Sequence, residues 1–409
     1  MSNVWQPGPR PEWVRSLNLQ GRPEWISLDE RSLVDEAVRR TGLRDFGGER
    51  FWEPFRIFLR ALEDEAQLHF AGRVLVRGDL LNWLENRLQM TDWRRRHPEI
   101  DAERIERPLF ITGLPRGGTS ILHELLAQDP AHRAPRHWEV RFPCPPPERA
   151  SYTSDPRIAR ADLEIQLWNQ IVPEYLSMHE LGGAIPVECV QLMAHEFLGD
   201  ELPGRHQVPS YSAWLAGADM VPAYHFHKKM LQLLQWRCRG ERWVLKAPSH
   251  LSTLGALFAV YPDACIVQTH RDPLTVMASV ASILFSTAWV RSDAVDPEAV
   301  LGWFTGETCA RLLANAERAR AAVAPGQFCD VLYQDLVRRP FEVLPRIYRH
   351  FDFEYRPEAE AAMRAYLAHK PKGKHGGHRY DFAHTGFDRA LERKRFADYQ
   401  ARYGVPSEV

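Results

Sequence analysis

The spacing of apolar residues divides the chain near residue 107. Between residues 31 and 100, apolar side chains recur three and four positions apart, which predicts amphipathic helices. Beyond residue 107, short apolar runs alternate with helical patterns. We therefore expect an N-terminal helical extension over residues 1–106, a larger domain over residues 107–390 and a C-terminal tail over residues 391–409.

Four short apolar runs in the larger domain predict buried strands. They cover residues 108–112, 242–246, 265–269 and 328–333, and a helical pattern follows each of them. Residues from about 150 to 240 carry helical patterns without strand signals, which predicts a helical insertion. Strands that alternate with helices are typical of an α/β fold, with a parallel sheet flanked by helices and joined by right-handed crossovers.

The stretch after the first predicted strand has the layout of a phosphate-binding loop. It reads Gly113-Leu-Pro-Arg-Gly-Gly-Thr-Ser120 and leads into a helical pattern. Glycines let successive backbone N–H groups point inward, and the helix start adds unpaired donors and partial positive charge. The alternative is a glycine-rich turn between strand and helix that binds no ligand.

This loop departs from the loop of nucleoside triphosphatases at one informative position. The spacing fits G-x-x-x-x-G-K-[ST], but Thr119 stands in place of the lysine and the positive charge lies three positions earlier, at Arg116. The standard lysine contacts the outer phosphates, and the hydroxyl after it helps to hold magnesium. A loop without that lysine is poorly suited to metal-assisted phosphoryl transfer.

Composition and charge narrow the class of protein. The net charge is −1 over 409 residues, so no global field attracts nucleic acid or an anionic membrane surface. The six cysteines are scattered without a C-x-x-C pair, which favours reduced thiols and a cytoplasmic protein. We see no signal peptide and no apolar window long enough for a membrane span. His179-Glu180 and His195-Glu196 lack the second histidine of a metalloprotease motif, so we expect no metal site.

Polar side chains follow each of the four predicted strands. They are Arg116, Lys246, Arg271 and Tyr333. Because ligands of parallel α/β sheets bind at the carboxyl ends of the strands, we expect these groups to share one rim. Ser279 lies eight residues after Arg271, and an arginine fork with a hydroxyl makes a second anion site. Two anion sites on one rim suggest a nucleotide with phosphate at both ends.

These motifs resemble those of sulfotransferases. Pro115-Arg-Gly-Gly-Thr-Ser120 looks like their 5′-phosphosulfate loop, and Thr269-His-Arg-Asp-Pro273 with Ser279 looks like their 3′-phosphate site. Val244-Leu-Lys-Ala-Pro-Ser-His250 and Val331-Leu-Tyr-Gln-Asp-Leu336 are similar to two further blocks of the family. The likeness covers roughly residues 107–385 and is greatest to the bacterial branch with an N-terminal helical extension.

The resemblance implies a P-loop-type fold and the donor 3′-phosphoadenosine 5′-phosphosulfate (PAPS). It assigns donor binding to one group of residues: Arg116, Gly117, Gly118, Thr119, Ser120, Arg271 and Ser279. Two positions depart from the family pattern, because Gly117 often corresponds to a serine and Gln334 to an acidic residue.

Sulfuryl transfer needs charge stabilisation and a base. By analogy with phosphoryl transfer, the protein positions the reactants and meets the charge that develops on the leaving group, which we assign to Arg116 and Lys246. A general base for the acceptor hydroxyl is either Glu139, which follows the loop helix, or His250. Each of these two could instead be a capping or ion-paired structural residue.

Two further features have a functional and a structural interpretation. Tyr333 faces the adenine or is a core tyrosine at a strand end. The basic, glycine-containing segment with Lys372, Lys374, His375 and Arg379 is a flap over the 3′-phosphate, as in relatives, or a solvated loop.

The sequence thus predicts a PAPS-dependent sulfotransferase that acts on a hydroxyl of a small-molecule or lipid-like acceptor. The acceptor pocket would be shaped by residues 1–100 and 150–240. The alternatives are a P-loop kinase or nucleotidase, which the absent lysine disfavours, and a nucleotide-binding protein that has lost transfer activity.

Overall fold

A five-stranded parallel sheet forms the centre of the computed structural model, which describes residues 8–370 and 381–408. The strands are β1 (Leu109–Gly113), β2 (His132–Arg133), β3 (Arg242–Lys246), β4 (Cys265–His270) and β5 (Phe328–Leu332). Their order in the sheet is β2-β3-β1-β4-β5, and every neighbouring pair is parallel. The predicted α/β fold with a parallel sheet is confirmed, and β2 is an additional strand of two residues.

Twenty-one α-helices surround this sheet in the described part of the chain. They are α1 (Glu12–Gln20), α2 (Glu30–Thr41), α3 (Trp52–Asp64), α4 (Phe70–Arg96), α5 (Thr119–Leu126), α6 (His137–Arg141), α7 (Pro156–Ile171), α8 (Tyr175–Met178), α9 (Cys189–Met193), α10 (Glu201–Arg205), α11 (Pro209–Leu215), α12 (Val221–Gln235), α13 (His250–Val260), α14 (Pro273–Trp289), α15 (Pro297–Leu301), α16 (Gly306–Ala321), α17 (Tyr333–Arg338), α18 (Pro340–His350), α19 (Pro357–His369), α20 (Arg389–Arg395) and α21 (Ala397–Tyr403).

Both faces of the sheet are covered by helices, as the apolar strands require. Successive side chains of β1 alternate between the two faces. Leu109 and Ile111 pack in one core with residues of α5, α18 and α19, whereas Phe110 packs in the other, larger core. The central position of β1 places the loop after it at the middle of the rim formed by the carboxyl ends of the strands.

The N-terminal helices and the insertion share the larger core with the sheet. The ring of Phe197, in the insertion, lies 4.7 Å from that of Phe55 in α3. Arg87 in α4 is 2.6 Å from Glu196, and both side chains are buried. The two predicted helical segments therefore pack on each other and cover one side of the strand ends together.

The last helices return the chain to the sheet. α20 contacts α14 and α16, and the ring of Tyr403 in α21 stacks on that of His270 at the end of β4, with centroids 4.0 Å apart. The segment 404–408 consequently lies beside the strand ends. No helix of the described residues combines the length and the apolarity that crossing a bilayer requires.

Candidate active site

The loop after β1 has a backbone that only glycine tolerates at two positions. Gly113 has φ of 141°, and a Cβ there would lie 2.4 Å from the carbonyl oxygen of Thr269. Gly118 has φ of 87°, and a Cβ would lie 2.8 Å from the ring of Tyr333. Arg116 also has a positive φ, of 63°. The loop thus curls tightly before α5 begins at Thr119, which directs the unpaired N–H groups of that helix toward the loop.

Two arginines from neighbouring strand ends meet at this loop. The guanidinium of Arg271, which follows β4, donates to the carbonyl oxygen of Arg116 at 2.9 Å. Arg116 in turn donates from Nε to Ser279 Oγ at 3.1 Å. The predicted second anion site, Arg271 with Ser279, is therefore connected to the first through Arg116.

Tyr333 supports this arrangement from the end of β5. The guanidinium of Arg271 lies 4.0 Å from the centre of its ring, which is a cation–π distance. The same guanidinium forms an ion pair of 2.8 Å with Glu408.

Lys246, at the end of β3, is nearly fully buried beside the loop. Its ammonium donates to Ser120 Oγ at 3.1 Å and to a carboxylate oxygen of Glu188. Burial raises the pKa of Glu188, but the attraction of Lys246, His179 and Arg116 outweighs burial and brings that pKa below its ordinary value. Glu188 is therefore ionised at neutral pH.

A cavity of about 1680 Å³ opens onto these groups. Its wall includes loop residues, among them Arg116 and Ser120, together with Glu188. Apolar side chains from the N-terminal helices, the insertion and α14 contribute the following lining: Val74, Leu75, Leu167, Ile171, Leu215 and Ile283. The two helical segments do shape this pocket, as expected from the sequence.

Charged side chains on the cavity wall are paired with one another. Asp79 lies 3.0 Å from Arg141 and 3.4 Å from Arg291, and Arg205 pairs with Glu201. These ion pairs offset part of the cost of placing charged groups among apolar side chains.

Neither base candidate from the sequence lies on the cavity wall. Glu139 is fully buried, pairs with Arg133, and accepts hydrogen bonds from Tyr152 and from the backbone N–H of Arg136. This enclosure favours a structural role for Glu139 over the predicted role as base. All three of these partners lie outside the loop of residues 113–120.

His250 is equally enclosed, at the start of α13. Its Nδ1 lies 2.6 Å from the hydroxyl of Tyr224, and its ring packs edge-on against Phe110. Burial, with contributions from His227 and Lys246, lowers the pKa of His250 well below its ordinary value.

The remaining predicted site residues fall into two groups. One group lies together at the loop: Arg116, Gly117, Gly118, Thr119, Ser120, Lys246, Arg271, Ser279 and Tyr333. Lys374 and the other basic residues of the proposed flap lie outside the described residues. The described residues contain no group of three or more His, Cys, Asp or Glu side chains that could hold a metal ion.

Two residues of this site gave no signal in the sequence. Glu188 stands in the insertion, in Ile-Pro-Val-Glu-Cys, and Glu408 stands in the segment treated as a tail. Both reach the strand ends only through tertiary packing, which no local spacing encodes.

Comparison with known proteins agrees with this architecture. Sulfotransferase STF1 from Mycobacterium tuberculosis has a solved structure that matches with a TM-score of 0.79 at 34% identity, over 91% of this chain and 99% of that one. Sulfotransferase STF9 from Mycobacterium avium matches with a TM-score of 0.84 at 28% identity, over 93% of this chain and 98% of that one.

Sequence comparisons identify the same group of enzymes. Omega-hydroxy-beta-dihydromenaquinone-9 sulfotransferase Stf3 from Mycobacterium bovis is 27% identical over 314 residues, which are 73% of this chain and 75% of that protein. The model of the sulfotransferase family matches residues 108–357, which are more than half of the chain and include the loop, Lys246, Arg271 and Tyr333. The chain belongs to the sulfotransferase family, as its motifs predicted.

Proposed function

We propose that this sulfotransferase takes its sulfuryl group from PAPS. The observation that carries the proposal is the pair of arginines, Arg116 and Arg271, joined at 2.9 Å on the rim of one cavity. Gly113 and Gly118 let the loop curl tightly against Thr269 and Tyr333, a backbone shape whose N–H groups can converge on a phosphate. The residues present therefore fit a nucleotide with phosphate groups at its 5′ and 3′ positions.

The residues divide the work of holding this donor. The N–H groups at the start of α5 and the side chain of Arg116 bind the 5′ side, while Arg271 and Ser279 bind the 3′-phosphate. When bound, the donor supplies a sulfuryl group on a phosphate leaving group. Lys246 and Arg116 stabilise the negative charge that develops as the sulfuryl group departs. Lys374 remains a predicted member of a flap over the 3′-phosphate.

We propose a lipid-like hydroxyl compound as the acceptor. The cavity of about 1680 Å³, which also includes the donor-binding groups Arg116 and Arg271, exceeds the range of about 300–1,000 Å³ that is usual for small-ligand sites. Its apolar lining would bury a long chain, and each buried CH₂ contributes about 0.8 kcal/mol. The relative Stf3, whose name specifies omega-hydroxy-beta-dihydromenaquinone-9, supports the same class of acceptor.

Thermal-shift titration tests the donor assignment. We expect adenosine 3′,5′-bisphosphate (PAP) to stabilise the protein without magnesium, because Arg116 and Arg271 bind its two phosphates directly. Stabilisation by ATP with magnesium but not by PAP would instead support a P-loop kinase. Transfer of labelled sulfate from PAPS to long-chain ω-hydroxy lipids then tests the acceptor, with the matching lipids that lack the hydroxyl as controls.

A further inference from the structure

Glu188 lines the cavity beside the charged groups at the loop. It contacts the ammonium of Lys246, which also donates to Ser120 of the loop. Three other acidic groups of the wall are held in ion pairs with arginines. Asp79 and Glu164 pair with Arg141, and Glu201 pairs with Arg205.

The exposure of this pair suits a reaction at the loop. The side chain of Lys246 is 2% exposed, while that of Glu188 is 25% exposed and lines the cavity. An ammonium has three N–H donors, and Ser120 and Glu188 use two of them. The third can meet the oxygen that leaves the sulfur, while the carboxylate of Glu188 borders the cavity from which an acceptor hydroxyl would attack.

We propose that Glu188 is the general base of the transfer, an inference that rests on the proposed sulfuryl donor. Glu188 takes the proton of the acceptor hydroxyl while that oxygen forms a bond to sulfur. The bond between sulfur and the donor phosphate breaks, and the phosphate oxygen keeps its electron pair. The products are the sulfate ester, PAP and a protonated Glu188, which then releases its proton to water.

The charges around Glu188 keep its carboxylate ionised, as a general base must be before it accepts a proton. Lys246, His179 and Arg116 hold its pKa below the ordinary value despite burial, so the carboxylate is ionised across the neutral range. Because the carboxylate is a weak base in isolation, we expect it to act only as the O–S bond forms, when the hydroxyl becomes acidic.

The variant Glu188→Gln tests this role. Glutamine keeps the shape and the hydrogen bond to Lys246 but cannot accept a proton. We expect kcat to fall by about 10²–10⁴, with affinity for PAP in calorimetry unchanged or tighter. Loss should be smaller for an acidic phenol acceptor than for an aliphatic alcohol, since the phenol needs less help in losing its proton.

Glu180→Gln is the matched control. Glu180 forms a comparable carboxylate–lysine pair with Lys370, at 2.8 Å, and we expect this variant to retain kcat within about twofold. Turnover in Glu188→Gln equal to that of the control, or an equal loss with both acceptor classes, would overturn the role of Glu188. Absence of any transfer from PAPS by the unmodified enzyme would instead overturn the donor proposal on which this role rests.

A separate observation concerns Glu408 and Arg271. The carboxylate of Glu408 accepts from Nε of Arg271 at 3.0 Å and from Nη2 at 2.8 Å, a two-point contact of the kind that arginine makes with phosphate. The side chains of Arg271 and Glu408 are only 11% and 19% exposed. The carboxylate of Glu408 is thus paired with Arg271, the side chain that we propose to bind the 3′-phosphate.

Two backbone hydrogen bonds hold the segment that carries Glu408 in place. The backbone N–H of Glu408 donates to Asp272 at 2.7 Å, and Asp272 also pairs with Arg393 of α20. The backbone N–H of Val405 donates to the carbonyl oxygen of Gln400 at 2.9 Å. These bonds hold the segment against the end of β4, where it covers Arg271.

We infer that residues 404–408 form a latch, in which Glu408 competes with the donor 3′-phosphate for Arg271. Donor binding then requires Glu408 to leave Arg271. The observed affinity for the donor equals the affinity of the open form multiplied by the fraction of molecules in which the latch is open. Like the base assignment, this inference rests on the proposed donor.

Calorimetry with two nucleotides tests the latch. For Glu408→Gln we expect roughly tenfold tighter binding of PAP. A gain of this size corresponds to a latch that is closed in about nine-tenths of the molecules of the unmodified protein. Adenosine 5′-monophosphate has no 3′-phosphate, so its affinity should not change. Asp398→Asn, at an exposed position of α21, makes the same change of charge and should leave both affinities unchanged.

Three results would overturn the latch. They are equal PAP affinity in Glu408→Gln and the unmodified protein, an equal gain for adenosine 5′-monophosphate, and an equal gain in Asp398→Asn. Absence of PAP binding in every protein would remove the donor proposal and the latch with it.

Discussion

Glu139 illustrates how one buried carboxylate can serve stability. It is fully buried against Arg133, which also donates to the carbonyl oxygens of Leu234 and Cys238 at 3.3 and 3.2 Å. Glu139→Gln leaves the Arg133 charge without a compensating carboxylate in the interior. We expect a loss of about 3 kcal/mol in the free energy of unfolding, measured by urea denaturation, while kcat per folded molecule is retained.

An exposed pair gives the control for Glu139. Glu342 pairs with Arg339 on the surface of α18 at 3.2 Å, and Glu342→Gln should leave the urea midpoint unchanged, because exposed pairs contribute little. Unchanged stability together with lost turnover in Glu139→Gln would contradict the structural role and restore Glu139 as the base.

The residues whose common rim follows from the sequence are those that directly follow a strand. Arg116, Lys246 and Arg271 each follow a strand of one parallel sheet, so chain position alone puts them on a common rim. Glu188 and Glu408 reach the same rim from a helical insertion and from a C-terminal segment. Their positions depend on how distant segments pack, which a local pattern does not encode.

At the scale of elements, apolar runs predicted the long strands to within one residue at each end. The strand β2 was not predicted, because its two residues, His132 and Arg133, are too few to form an apolar run. Residues 297–321 form two helices, α15 and α16, with a break at residues 302–305. Thr305 explains the break, since its side chain accepts from the N–H of Thr308 and caps the start of α16.

At the scale of the whole molecule, the sequence divided the chain into an N-terminal extension and a larger domain with an insertion. The structure shows that these segments share one hydrophobic core. The N-terminal helices, the insertion and one face of the sheet bury their apolar side chains in one cluster. Separate patterns for residues 1–106 and 150–240 predicted the helices but not their mutual packing. This joint layer gives the cavity its size and its apolar wall, and it is also where several buried histidines lie.

Four buried histidines should make the stability of the whole protein depend on pH. Burial is the largest cause that lowers the pKa of His123, His195, His206 and His227 to about 3 each, whereas an unfolded histidine titrates near pH 6.5. Below pH 6.5 the unfolded chain therefore binds protons that the folded protein does not, and stability is lost as the pH falls.

The expected loss between pH 6.5 and 5.5 is about 1 kcal/mol for each of these histidines, and their stabilising contribution becomes nearly constant above about pH 7.5. Urea denaturation at pH 7.5, 6.5 and 5.5 measures the slope. His227→Asn should reduce the loss by about 1 kcal/mol, although removal of its bond to Tyr261, at 2.8 Å, also lowers stability at every pH. The variant His369→Asn, at an exposed position, should leave the slope unchanged. A urea midpoint that stays constant from pH 7.5 to 5.5 would show that the buried histidines accept protons in the folded state, so that their enclosure is looser than their packing indicates.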